Sequence, residues 1–285
     1  MKAIREQQVN KYLQARKLKN NKMTYKNKVV WITGASSGIG EALVYAFDKR
    51  EAKIIISARR ENELERVKNN CKNKENIKII QLDLEIHDQM QEKANKVYEE
   101  FNNIDYLFNN GGLSQRSLAK DTPLAIDKRL MDINFFGTIA LTKAVLPKMI
   151  KQKQGHIIVT SSVTGKIGTS MRSAYAASKH ALHGFFDSLR AEVAQDNIFI
   201  TLLCPGYVTT NISVNAVTAN GTAQNTMDKN TAKGLKPKVL AEKIIKAVSK
   251  KREEIYPGGF EMFGIFLKKF FPKILSKILK NRKSV

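Results

Sequence analysis

The chain has 285 residues, 42% of them hydrophobic and two of them cysteine, and its 49 Lys and Arg outnumber 26 Asp and Glu to give a formal net charge of +23. This length and apolar content exclude a disordered chain and suit one large α/β domain better than two, while thiols as far apart as Cys71 and Cys204 make no disulfide framework. The charge alone would suggest nucleic acid, but the cations crowd into the two ends, which read as solvated arms or membrane-surface contacts, and no nucleic-acid partner is expected.

Residues 1–27 form a basic extension with charges throughout and no apolar core of a secretory signal. No apolar run approaches a membrane-spanning length, and a cytoplasmic setting is expected. From Lys28 onward, short β-rich runs alternate with helical patterns. Val29–Thr33, the first strand, leads into Gly34-Ala35-Ser36-Ser37-Gly38-Ile39-Gly40 and a helix at 40–49. Glycines in such a turn let the backbone approach a pyrophosphate, which the N–H groups and positive dipole end of the helix then face. The spacing differs from the usual Gly-x-Gly-x-x-Gly of dinucleotide sites.

The next strand, Lys53–Ser57, ends at Arg59 and Arg60, about twenty residues past the glycines, where a carboxylate would hold the ribose 2′-hydroxyl of NAD. Arg59, with Arg60 beside it, instead offers a planar cationic fork suited to the 2′-phosphate of NADP. A helix at Glu61–Asn69, a strand at 77–82, a helix at 89–101, a strand at Tyr106–Asn109 and a helix at 131–151 follow. A strand at 156–161 runs up to Ser162, and a helix at 174–194 carries Tyr175 and Lys179 one turn apart on one face. An ammonium beside a phenol favours the phenolate, so Tyr175 can exchange a substrate proton, while Ser162 can donate to the oxygen that gains charge as hydride arrives.

Strands at 199–204 and, more weakly, 254–256 complete a parallel sheet with helices on both faces: a doubly wound, three-layer α/β/α single domain over 28–258. Residues 212–235, rich in Asn, Thr, Ala, Ser and Gly, read as a mobile substrate loop, and Pro237 opens a helix at 238–250. In the final stretch, 259–285, helical spacing gathers Phe266, Phe270, Phe271, Ile274, Leu275 and Ile278 on one side with lysines opposite, and Pro272 kinks the helix or starts a second one. Such a basic amphipathic segment suits peripheral contact with a membrane, closure of a substrate pocket, or pairing of subunits. His156, His180 and His183 lack ligand spacing, so no metal is expected, and Cys204 reads as a small buried hydrophobe.

Thr33-Gly34-x-x-x-Gly38-Ile39-Gly40, Asn109-Asn110-Gly111-Gly112, Ser161-Ser162 and Tyr175-Ala176-Ala177-Ser178-Lys179, in this order, resemble the short-chain dehydrogenase/reductase family over residues 28–211. Within it, residues 127–129 and 175–180 are most similar to hydroxysteroid-dehydrogenase-like and DHRS-type reductases. The resemblance implies a Rossmann-type fold, with Tyr175 as general acid/base, Lys179 binding the nicotinamide ribose and lowering the Tyr175 pKa, and Ser162 orienting substrate. It further implies that Asn134 holds a water in a proton relay to the lysine, that Asp83 lies beside the adenine ring, that Asn110 lies behind the nicotinamide ribose, and that Thr210 meets the carboxamide. Gly111 stands where the family more usually has alanine. Helices 131–151 and 174–194 correspond to those that pair subunits, implying a homodimer or homotetramer.

The expected activity is NADP(H)-dependent hydride transfer between nicotinamide and a carbonyl or secondary alcohol, on an apolar, lipid-like or steroid-like ketone. Ser114, Gln115, Arg116, Lys166, Arg172 and Tyr207 are expected to line the substrate pocket. A non-catalytic NADP-binding sensor or scaffold and an NAD-dependent dehydrogenase are the alternatives.

Overall fold

Apolar residues run unbroken through the central strands, as buried parallel strands require, and successive side chains point to opposite faces. The computed structural model, which describes residues 25–281, has strands β1 (Val29–Thr33), β2 (Lys53–Ser57), β3 (Ile77–Ile79), β4 (Tyr106–Asn109), β5 (Gly155–Thr160), β6 (Ile198–Leu203) and β7 (Glu254–Ile255). They form one seven-stranded sheet in the order β3-β2-β1-β4-β5-β6-β7, with every neighbouring pair parallel. The basic extension expected at 1–27 falls almost wholly outside the described residues.

Helices α1 (Gly38–Asp48), α2 (Glu61–Asn69), α3 (Met90–Phe101), α4 (Leu124–Gln152) and α5 (Ser173–Glu192) make the crossovers, joined by α7 (Pro237–Val248). Val30 and Ile32 of β1 pack with Phe47 of α1 and Ile244 of α7 on one face. Trp31, between them, faces the other way into a second core with Val97 of α3, Val145 of α4 and Phe186 of α5. This is the expected doubly wound, three-layer Rossmann-type architecture. Because the chain grows outward to β3 and then returns to place β4 beside β1, a crevice opens at the carboxyl ends of β1 and β4, where such folds bind ligands.

Two segments depart from expectation, and at a third the structure decides between the alternatives. The helix expected at 131–151 begins at Leu124, and a π turn, Asp132–Phe136, interrupts it. At 29 residues and a mean hydropathy of 1.2, α4 is long and apolar enough to cross a membrane, contrary to the sequence reading. Its Leu141, Val145 and Met149 are nevertheless packed in the core, the placement of a buried core helix.

Residues 212–235 contain the short helix α6 (Lys229–Ala232) and are tied down by bridges from Gln115 to Val217 and from Val208 to Leu235. Asp228, buried, receives Arg116 Nε at 3.0 Å and Arg172 Nη2 at 3.2 Å. These polar and ionic ties add to the packing of Val217 with Leu130 and Ala174. At the C-terminus, Phe271 separates α8 (Phe263–Phe270) from α9 (Pro272–Asn281), so Pro272 starts a second helix.

Candidate active site

A cleft of about 1230 Å³ runs along the carboxyl ends of the strands, from the β1–α1 turn to the C-terminal helices. Gly34 and Gly38 take φ of +64° and +59°, the left-handed region that glycine enters without strain. They bend the chain so that α1 aims its unpaired N–H groups at the cleft, as an anion site requires. Ser36, Ser37 and Ile39 line the same wall. Gly40 does not; it lies behind the turn, where a side chain would collide with the Gly34 carbonyl. Arg66, unremarked in the sequence, braces the turn by donating to Ser36 O at 3.2 Å and to Glu41 at 2.8 Å.

Arg59 lines the cleft from the end of β2, and its guanidinium has no hydrogen-bond or ion-pair partner among the described residues. Asp83 lines the far wall and accepts Glu85 N at 3.0 Å. Asn110 ties two strand ends together: its Nδ2 donates to Thr33 O at 3.2 Å and its Oδ1 accepts from Thr160 Oγ1 at 3.3 Å. Thr210 rests against the β1–α1 turn, 3.0 Å from where a Cβ on Gly38 would stand.

Tyr175 sits in the first turn of α5, whose end N–H groups need acceptors. Gln115 supplies one from across the chain, its Oε1 accepting Ala174 N at 3.0 Å and Tyr175 N at 3.2 Å. One turn on, Lys179 Nζ lies 5.8 Å from the Tyr175 ring centre and donates to Thr160 O at 2.8 Å. Ser162 follows β5 and accepts Thr164 N at 3.2 Å.

Burial pushes the Tyr175 phenol above its ordinary pKa, although hydrogen bonds to Ser162 and Thr164 and the charges of Arg172 and Arg116 pull the other way. Burial also brings the Lys179 ammonium down to about 8. A phenol held protonated at the cleft can give a proton to a substrate oxygen, while the serine hydroxyl holds that oxygen.

Three other expected residues, Asn134, Gln115 and Lys166, stand apart from the cleft. Asn134, in the π turn of α4, is fully buried; its Oδ1 accepts Leu113 N at 2.7 Å and its Nδ2 donates to Ser178 Oγ at 3.0 Å. Gly112 lies between it and the lysine: a Cβ there would be 2.9 Å from Asn134 Oδ1 and 3.5 Å from Lys179 Nζ. Ser114, Arg116, Arg172 and Tyr207 do line the cleft. Gln115 and Lys166 do not: the first caps α5, and the second is paired with Glu254 at 2.8 Å. Sequence reasoning missed Asp228, which no local pattern marks. It also left open the wall made by Phe263, Leu267 and Leu275, although the amphipathic spacing of this segment offered pocket closure as one outcome.

The profile of the family described as short chain dehydrogenase matches residues 28–221. A Drosophila melanogaster protein, dehydrogenase/reductase SDR family protein 7-like, is 40% identical over 94% of this chain and 83% of its own length. A short-chain dehydrogenase/reductase from Burkholderia phymatum, solved in complex with NAD, shares the fold at a TM-score of 0.77 and 20% identity, covering 92% of this chain and 99% of its own. One from Burkholderia cenocepacia in complex with NADP does so at 0.75 and 19%, covering 91% and 100%. One architecture therefore serves NAD in the first of these two proteins and NADP in the second.

Proposed function

The chain belongs to the short-chain dehydrogenase/reductase family, and on that premise we propose that it transfers a hydride from NADPH to an apolar ketone or aldehyde. The observation that carries this reading is the convergence of Ser162, Tyr175 and Lys179 on the cleft that also holds the glycine turn and Arg59.

The site has the parts that a dinucleotide needs. The α1 N-terminus would face the pyrophosphate, Arg59 would pair with the 2′-phosphate of NADP, and Asp83, Asn110 and Thr210 would line the remaining length. The bound nicotinamide would supply the hydride. Ser162 holds the substrate oxygen, Tyr175 delivers the proton to it, and Lys179 stabilises the phenolate that remains. Asn134 then serves by holding the Leu113 and Ser178 backing of the site.

The substrate end favours an apolar molecule, because Ile167, Phe263, Leu267 and Leu275 line it. On the outer side of the same helices, Phe266, Phe270 and Ile274 are exposed among lysines, and no acidic residue follows Glu261. This is the make-up of a peripheral contact with anionic lipid, from a cytoplasmic setting. The exposed Phe136 on α4 offers a surface for self-association as a homodimer or homotetramer.

The test is loss of NADPH absorbance over a panel of carbonyl compounds. Tyr175→Phe should abolish turnover, at least about a thousandfold, while NADPH still raises thermal stability more than NADH does. Turnover persisting in that variant would refute the role, and equal protection by the two dinucleotides would refute the NADP preference.

A further inference from the structure

Behind the cleft, a polar chain joins four elements. Glu254 of β7 meets His183 Nδ1 at 3.1 Å and accepts from Lys166 Nζ at 2.8 Å and from the Tyr256 hydroxyl. His183, one helical turn beyond Lys179, presents Nε2 to Ser161 Oγ at 3.0 Å and to Cys204 Sγ at 3.6 Å. Ser161 Oγ also lies 3.2 Å from the Lys179 carbonyl oxygen, and Ser161 immediately precedes Ser162. Ser161, His183 and Cys204 are 2%, 7% and 0% exposed.

Counting hydrogens shows what the histidine does. A carboxylate accepts only, so Glu254 keeps the ring hydrogen on Nδ1, and the neutral imidazole offers Nε2 as an acceptor. Burial, then Lys166, hold His183 below its ordinary pKa against the pull of Glu254 and Asp187, so the neutral form prevails. The Ser161 hydroxyl has one hydrogen and two acceptors in reach, Nε2 and the Lys179 carbonyl. Of the two donors near Nε2 the Ser161 hydroxyl, at 3.0 Å, is closer than the Cys204 thiol, and because the Lys179 carbonyl, 3.2 Å from that hydroxyl, already lies within a helical ladder, the shorter contact to the imidazole takes the hydrogen.

A serine, a histidine and a carboxylate in this order are the makings of a nucleophile. Gly165 argues against that use: a Cβ there would strike Ser161 Oγ and stand 2.9 Å from the Lys179 carbonyl, so the backbone packs directly on the hydroxyl. A metal does not suit the group either. The ligand atoms of His183, Cys204 and Glu254 lie within 4.8 Å of one another, but the carboxylate and the thiol address opposite ring nitrogens, and burial pushes the thiol up to about 12.

We infer that His183 is a positioning residue of the reductase site: fixed by Glu254, its Nε2 captures the Ser161 hydroxyl and locks the end of β5, and Ser162 with it, onto the turn of α5 that carries Lys179. This rests on the proposed reductase reading, because the residues it places are the ones assigned to the chemistry there.

The full chain is compared with His183→Leu, His183→Gln, Ser161→Ala and the Ser161→Ala/His183→Leu double variant. NADPH affinity is read by fluorescence, turnover with benzil as a generic carbonyl probe, and folding by thermal unfolding. His183→Leu and Ser161→Ala should each lower kcat and NADPH affinity about tenfold while benzil KM stays within about twofold. His183→Gln, whose amide can accept the serine hydrogen, should come within about threefold of the parent, and the double variant should lose no more than either single one. Parent-like values in folded His183→Leu, a glutamine variant as impaired as the leucine one, or losses that add would overturn the assignment. Should His183→Leu not fold, Ser161→Ala and His183→Gln decide between the same outcomes. If the parent consumes no NADPH with any carbonyl, the reductase reading falls, and NADPH affinity across the variants still decides the positioning role.

Discussion

On the cleft floor Lys179 is 4% exposed and its ammonium has a carbonyl partner, whereas Leu275 alone is buried in α8 and α9, and Phe270 and Ile274 stand 55% and 51% exposed. The two regions meet at one cleft but are finished in opposite ways. Inside, Asn110, Asn134 and Lys179 are each held by another polar group, because an unpaired buried polar atom costs about 1–3 kcal/mol. Outside, the Phe266, Phe270 and Ile274 side chains stay exposed with none of the described residues covering them. The site is therefore held from within, whereas α8 and α9 leave their apolar outer side exposed.

Three experiments would break or sharpen that contrast. The largest effect is expected at Asp228, the counter-charge for two arginines. Burial pushes its carboxyl up, but the hydrogen bonds from Arg116 and Gln224 and the Arg116 and Arg172 charges outweigh this and hold it below the usual range. Asp228→Ala leaves two guanidinium groups with no carboxylate and should cost about 3 kcal/mol in chemical denaturation, with residues 212–235 open to protease. A loss under about 1 kcal/mol would mean that the strand bridges, not the ion pairs, hold the segment.

A smaller effect should follow from changing the hairpin alone. Phe266→Asp with Phe270→Asp should reduce co-sedimentation with phosphatidylserine vesicles about tenfold and leave the thermal midpoint nearly unchanged, because neither ring is buried. Unaltered vesicle binding would point to subunit pairing, and a large fall in midpoint would place these rings in the core.

The smallest effect concerns His156, buried on β5 and bonded to Thr201 Oγ1 at 2.8 Å. Burial, with Lys251 second, brings its pKa down to about 4. The unfolded chain binds this proton near pH 6.5 and the folded chain only near 4, so stability falls as the pH drops through that window. Between about pH 7 and pH 5.5 the cost should be on the order of 1 kcal/mol, visible as a midpoint drop that His156→Gln reduces. A drop of the same size in that variant would move its source to another group.

The contrast also explains what could be read in advance. Strands appear as β-branched runs with ends within a residue of those observed, except the strand expected at 77–82, which ends at Ile79, and Tyr175 and Lys179 appear as a pair, because helical spacing alone puts them on one face. The amphipathic C-terminal stretch was equally plain, yet its pattern fits a membrane, a lid or a dimer seam, and an apolar face does not say what covers it. Gln115 and Lys166, both polar and near the motifs, read as pocket residues in the sequence, and only their partners show otherwise: the α5 N-terminus for one and Glu254 for the other.

By itself the sequence determined the architecture, the phosphate turn, the cationic end of β2 and the serine, tyrosine and lysine, since each is written in spacings no longer than a turn or a strand. The tertiary structure alone decided that Arg116 meets Asp228 across 112 residues, that Gln115 caps a helix 59 residues on, and that His183 meets Ser161. Such pairings arise when distant segments are brought together and buried charges and donors must find whatever partner lies within reach, a demand that leaves no periodic trace along the chain.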